Sequence, residues 1–158
     1  MNSLHYRSKT LAAWLAVLGG AVGLHRLYLR GLGDWLAWAH LLPTGMGYIG
    51  LLRMRDIGVD DRLAWALVPV FGLMIVQGMA LAIYYGLTQD ERWDERHNPG
   101  LAPQTTRWGP IFAVIAALLI GATVLMGTLA FSIQKFFEIQ LEEERAGQTS
   151  QRSSITPK

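Results

Sequence analysis

The stretch LAWALVPVFGLMIVQGMALAIYYGL, residues 63–87, runs for 25 positions without one charged side chain. A second, WGPIFAVIAALLIGATVLMGTLAFSIQ at 108–134, does the same for 27. A hydrocarbon core of ~30 Å takes ~20 apolar residues of helix, because a helix satisfies its own backbone groups where water cannot. Both stretches meet that length, and they set the class: an all-α, polytopic membrane protein. Two shorter uncharged runs lie upstream, 10–25 and 35–52. The first lengthens to residue 29 if the long Arg26 side chain snorkels to the headgroups, and Trp35 and Trp38 suit the interface at the start of the second. The pattern therefore predicts four transmembrane helices, at about 10–29, 33–53, 63–87 and 108–136, the first two forming a hairpin.

Composition agrees with this reading. Of 158 residues, 51% are hydrophobic and 16% charged, too apolar for an ordinary soluble domain of this size. There is no cysteine, which excludes disulfide frameworks, thiolate zinc sites, iron–sulfur clusters and cysteine nucleophiles. A net charge of +2, spread along the chain, gives no nucleic-acid surface. Arg7 and Lys9 ahead of an apolar run imitate a secretory signal, with Ala21-Val22-Gly23 where a peptidase would cut. The polar cluster His25-Arg26-Leu27-Tyr28 directly after it fits a turn between two helices better.

Three regions follow: a hairpin over 1–60, a second pair of helices over 61–137 with a polar loop at 88–107, and a tail over 138–158. In the loop, Thr88-Gln89-Asp90-Glu91 has capping-box spacing, predicting a short surface helix to about His97 before Asn98-Pro99-Gly100 turns the chain. From residue 148 the hydrophobic pattern is lost and disorder is expected. With the N-terminus inside, the inner segments hold nine Lys and Arg and the outer loops five. That bias favours a cytoplasmic position for both termini. A short chain of this kind suits a bacterial inner membrane.

Small residues recur at helical spacing: Gly19 and Gly23, with Gly20 beside them; Gly78, Ala82 and Gly86; and Ala113, Ala117 and Gly121. In lipid such seams let backbones approach closely, either packing one bundle or joining copies of the chain. No acidic residue sits mid-span, which argues against an ion-coupled carrier. His40 is the one ionisable group well inside a span, and a neutral imidazole bonded to a neighbouring helix accounts for it. Pro69, Gly72, Gln77 and His40 are the material a transporter or channel subunit would use. Asp94 and His97 stand three apart in the outer loop, but Arg92 and Arg96 are interleaved and a self-paired surface helix explains them without a metal. No catalytic constellation, phosphate loop or cofactor motif is present.

Residues 7–56 resemble the TM-two domain, a two-helix membrane module also called NINE protein in bacteria. The resemblance rests on Lys9, Gly20 and Gly23, then His25-Arg26-Leu27-Tyr28-Leu29 and Gly31. The family pattern has phenylalanine where this chain has Leu27 and no residue matching Arg30, and Asp56 here follows arginines. The resemblance implies a small polytopic membrane protein without a catalytic residue. The motif residues His25, Arg26, Leu27 and Tyr28, with Asp34 as the nearest partner for Arg26, are the candidate contacts to lipid or a protein partner at the headgroup layer. Eukaryotic relatives place this loop in the cytosol, opposite to the charge count. The expected function is a non-enzymatic structural or interaction module whose partners are membrane lipid, a second copy or another membrane protein.

Overall fold

The computed structural model describes the backbone of residues 6–155 and the side chains of 6–148. The described residues form seven helices and no strand: α1 Lys9–Gly19, α2 Leu24–Arg30, α3 Trp35–Ala39, α4 Leu41–Asp56, α5 Arg62–Leu87, α6 Asp90–His97 and α7 Gly109–Ile155. Only α5 and α7 are long and apolar enough to cross a membrane. The expectation of four spanning helices is corrected on this point, and each shorter candidate is broken where the sequence gives a reason.

The predicted helix over 10–29 stops at Gly19. Residues 20–23 turn the chain, with Gly23 in the left-handed region at φ 81°, and α2 then folds back along α1. A Cβ on Gly23 would lie 2.8 Å from the Ala37 carbonyl oxygen, so the turn is pressed against α3 and admits no side chain. The Tyr28 hydroxyl accepts the Ser8 amide at 2.7 Å, and Leu29 packs with Ala12. The end of α2 thus returns to the start of α1. The predicted helix over 33–53 divides at His40. Pro43 has no N–H for the Ala39 carbonyl, and proline is tolerated in the first turn of a new helix, which is where α4 begins.

The helices pack through their small residues. α1 runs antiparallel to α5, with Lys9 at the α5 C-terminus and Gly20 against Gly78. α4 also runs antiparallel to α5, Gly47 facing Phe71 and Gly50 facing Leu67. α7 pairs with α5 along its length, Gly86 meeting Val114, Gly121 meeting Met79 and Gly72 meeting Thr128. The central cluster is Ala13, Ala16, Val17, Met79, Ala82, Ala113 and Ala117. Large apolar side chains point outward instead: Leu73 on α5 is 54% exposed, and Leu119 and Met126 on α7 are 67% and 68% exposed.

One end of this bundle carries residues 6–9, the α2–α3 turn and α6; the other carries the α4–α5 turn and the far part of α7. There Arg53 pairs with Asp61 at 2.7 Å, Lys135 lies over the Trp65 ring, and Arg62 reaches Glu142. The backbone of α7 stays helical through Ile155, past the loss of pattern at residue 148, and residues 156–158 lie outside the described ones. Gln148, Gln151 and Arg152 are good helix formers, three serines and one threonine are tolerated in a helix already under way, and a single Gly147 costs only ~1 kcal/mol.

Candidate functional site

The densest polar structure joins α6 to the N-terminal segment across more than eighty residues of sequence. α6 is amphipathic in an uncommon way: Asp90, Trp93, Asp94 and His97 share its inner face. Asp90 pairs with Lys9, whose ammonium also donates to the Thr88 carbonyl at 2.9 Å. The same carboxylate accepts the Thr106 amide at 2.8 Å and its hydroxyl at 2.6 Å. Asp94 accepts the Tyr6 hydroxyl and the Asn98 side-chain amide, each at 2.8 Å, and the Gln104 amide at 3.1 Å. Asn98 accepts the Arg7 amide at 2.7 Å, and the Trp93 indole donates to the Arg7 carbonyl at 2.8 Å. Trp93 is buried against Ala12 and Leu29 and stacks on His97 at 4.1 Å. Both carboxylates are therefore consumed in holding residues 6–9 and 104–106 together.

This cap is what the sequence reading missed. Lys9 reads as a flanking charge and Asp94 as a solvated one, and only the return of α6 over the start of α1 brings them together. The capping-box expectation is also corrected. Thr88 ends α5, its hydroxyl donating to the Tyr84 carbonyl at 2.6 Å, and Gln89 makes no side-chain cap. Nor are Arg92 and Arg96 paired with Glu91 and Glu95 among the described residues; the two charges occupy opposite flanks.

The cap has a defined pH window. Burial works to raise the Asp90 carboxyl, but hydrogen bonds from Lys9 and Thr106 outweigh it and leave it below its ordinary value. Asp94 is likewise held low, burial being outweighed by bonds from Asn98, Tyr6 and the Gln104 amide. Burial first, then the bond to Asp94, push the Tyr6 hydroxyl up to about 12. A depressed acid stabilises the fold above its unfolded pKa, ~3.9 for aspartate, and the contribution is lost as pH falls below that. A raised phenol contributes below its unfolded value and is lost as pH rises from 10 through 12. Hydrogen-exchange protection of residues 9–13 is therefore expected to be flat between about pH 7 and 9, to fall above that with Tyr6 and to fall below about pH 4 with the two aspartates. A loss that sets in as pH falls below about 6.5 belongs to His97, which burial holds below its ordinary value.

The hairpin motif faces inward. His25 is fully buried, edge-on to His40 at 6.0 Å and tilted against Tyr85 at 5.9 Å, and neither ring nitrogen has a partner. Arg26 pairs with Asp34 at 2.9 Å, and Asp34 also caps α3 by accepting the Leu36 amide. Leu27 is half-buried, and the Tyr28 hydroxyl accepts the Ser8 amide. His40 has the role expected of a satisfied imidazole: Nδ1 donates to the Leu36 carbonyl at 2.6 Å and Nε2 accepts from the Gln77 side chain at 2.9 Å. α5 continues unbroken through Pro69. Of the packing residues, Gly20, Gly78, Ala82, Gly86, Ala113, Ala117 and Gly121 line the contacts among α1, α5 and α7, while Gly19 lies against Leu24 of its own hairpin. Gly47 and Gly50 do the same work in α4 and were not among the packing residues expected.

Among the described residues no group of three His, Asp or Glu side chains is arranged to hold a metal ion. Comparison with models of protein families, with curated proteins and with solved structures finds no match.

Proposed function

We propose that the protein is an integral membrane scaffold of three crossings and one re-entrant hairpin, acting without catalysis through its contacts with lipid and membrane partners. The observation that supports this most is the turn at residues 20–23. α1 is 11 residues, about 16 Å, roughly half of a bilayer core. Irregular backbone at that depth is tolerated only when buried and satisfied. Here the Gly23 amide donates to the Gly20 carbonyl, the Arg26 and Leu27 amides donate to the Gly23 carbonyl, and the Thr44 hydroxyl donates to the Ala21 carbonyl at 2.5 Å. Neither α3 nor α4 is long enough alone, but their uncharged stretch, residues 35–52, reaches about 27 Å and makes one kinked crossing; α5 and α7 make the others.

In this reading the hairpin never crosses, so residues 6–9 share a face with the α2–α3 turn and α6, and the far end of α7 lies opposite. Both termini then no longer lie on one side. Moving Arg7 and Lys9 gives the α6 end seven basic residues, with Arg26, Arg30, Arg92, Arg96 and Arg107. The other end has five before residue 148, namely Arg53, Arg55, Arg62, Lys135 and Arg145. The bias favours a cytoplasmic position for the α6 end. That is also where the TM-two resemblance puts the hairpin loop, and we read the hairpin as a variant of that module in a bacterial inner membrane.

The absence of cysteine makes the test direct. Single cysteines at Arg7, Gly33, Gln104, Asp60 and Glu143 are labelled in intact and opened cells with an impermeant maleimide. Arg7→Cys, Gly33→Cys and Gln104→Cys are expected to react from one face, and Asp60→Cys and Glu143→Cys from the other. Arg7→Cys grouping with Asp60→Cys would restore four crossings, and release of the chain by alkaline carbonate would end the membrane reading.

A further inference from the structure

On α6 the two faces not used by the cap differ in sign. Glu91 and Glu95 lie on one flank; Arg92 and Arg96, one turn apart, lie on the other and open onto the C-terminal end of α5. Between them is a cleft of about 410 Å³ lined by Tyr84, Leu87, Thr88, Gln89, Arg92 and Arg96. Arg96 donates to the Tyr84 hydroxyl at 2.9 Å, which orients the guanidinium and still leaves it N–H groups to spare. Arg92 is exposed and has no ion pair or hydrogen-bond partner among the described residues. Like charges at this spacing repel, and an anion between them removes the penalty. One wall of the cleft is apolar: Leu87 is 69% and Tyr84 53% exposed, continuous with the outward face of α5.

We infer that this cleft holds the headgroup phosphate of an anionic phospholipid, with Arg92 and Arg96 on the phosphate and an acyl chain lying along Leu87 and Tyr84. The inference rests on the membrane reading above. Guanidinium groups match phosphate oxygens in a planar fork, and arginines at the headgroup layer gain from an anionic leaflet. A free phosphate would satisfy the arginines but would have no use for the apolar wall, so the lipid is the occupant the geometry favours.

The full chain is reconstituted in nanodiscs of equal phosphatidylglycerol and phosphatidylcholine, extracted in mild detergent, and the retained lipid is counted by native mass spectrometry. Phosphatidylglycerol is expected to be retained preferentially, and the R92Q/R96Q double variant is expected to lose that preference by on the order of tenfold. R92K/R96K, which keeps the charge, should retain part of it, and R107Q, which removes a basic residue outside the cleft, should retain all of it. No preference in the native chain, or an undiminished one in R92Q/R96Q at an unchanged melting temperature, overturns the site. Displacement of the lipid by inorganic phosphate at physiological salt would reassign it to a soluble anion. Failure of the membrane reading shows separately, in the maleimide pattern and carbonate release.

Discussion

Asp90→Ala is expected to be the most damaging single change in the α6 cap, costing about 2–3 kcal/mol. The Lys9 side chain is only 7% exposed, and without the carboxylate its ammonium keeps a single bond to the Thr88 carbonyl. A buried charge stripped of its partner costs ~3–5 kcal/mol; the figure here is lower because Asp90 itself keeps 24% of its surface in contact with water. The same change frees the Thr106 amide and hydroxyl, so the start of α7 loosens with the start of α1. Thermal unfolding in mild detergent, followed by circular dichroism, reads the loss. The double variant Lys9→Met/Asp90→Leu should recover much of it, since an apolar pair of similar volume leaves no uncompensated charge. If both variants melt like the native chain, the pair is solvated and the cap is not what holds residues 6–9.

The second large effect is expected at Gly20. A Cβ there would stand 2.4 Å from the Gly78 Cα, and one on Gly78 would stand 2.8 Å from the Gly20 Cα. Backbone faces backbone, so no side-chain rotation relieves the clash. Gly20→Ala is expected to lower stability by about 2 kcal/mol and Gly20→Ile by more, with α1 lifted from α5. Gly127→Ala provides the contrast: nothing lies within 4 Å of its added Cβ, and in the middle of α7 the change should be neutral or stabilising by up to ~1 kcal/mol. Equal losses at Gly20 and Gly127 in a thermal melt would show that glycine depletion in general, and not the α1–α5 crossing, sets the effect.

These two positions mark where sequence reading succeeded and where it stopped. Gly20 and Gly78 were both legible as small residues on apolar helices, because the spacing of small side chains is a local property of the chain. That they meet each other was not legible, since many pairs of seams satisfy the same rule. Asp90 and Lys9 were not legible at all. Eighty-one residues separate them, and a lone charge beside an apolar run looks the same whether it flanks a membrane or enters a buried pair.

The sequence by itself determined the all-α class, the two long apolar helices and the short helix before Asn98, because helix length, hydropathy and turn residues act over neighbouring positions. Only the tertiary structure decided that the first apolar run turns back at residues 20–23 instead of continuing, that the His25 motif faces inward, and that residues 6–9 lie beneath α6. Glycine permits a turn without requiring one. Whether the chain takes it depends on what the bent form buries, and here that is the close approach of α1 to α5 and the polar cap closing over both.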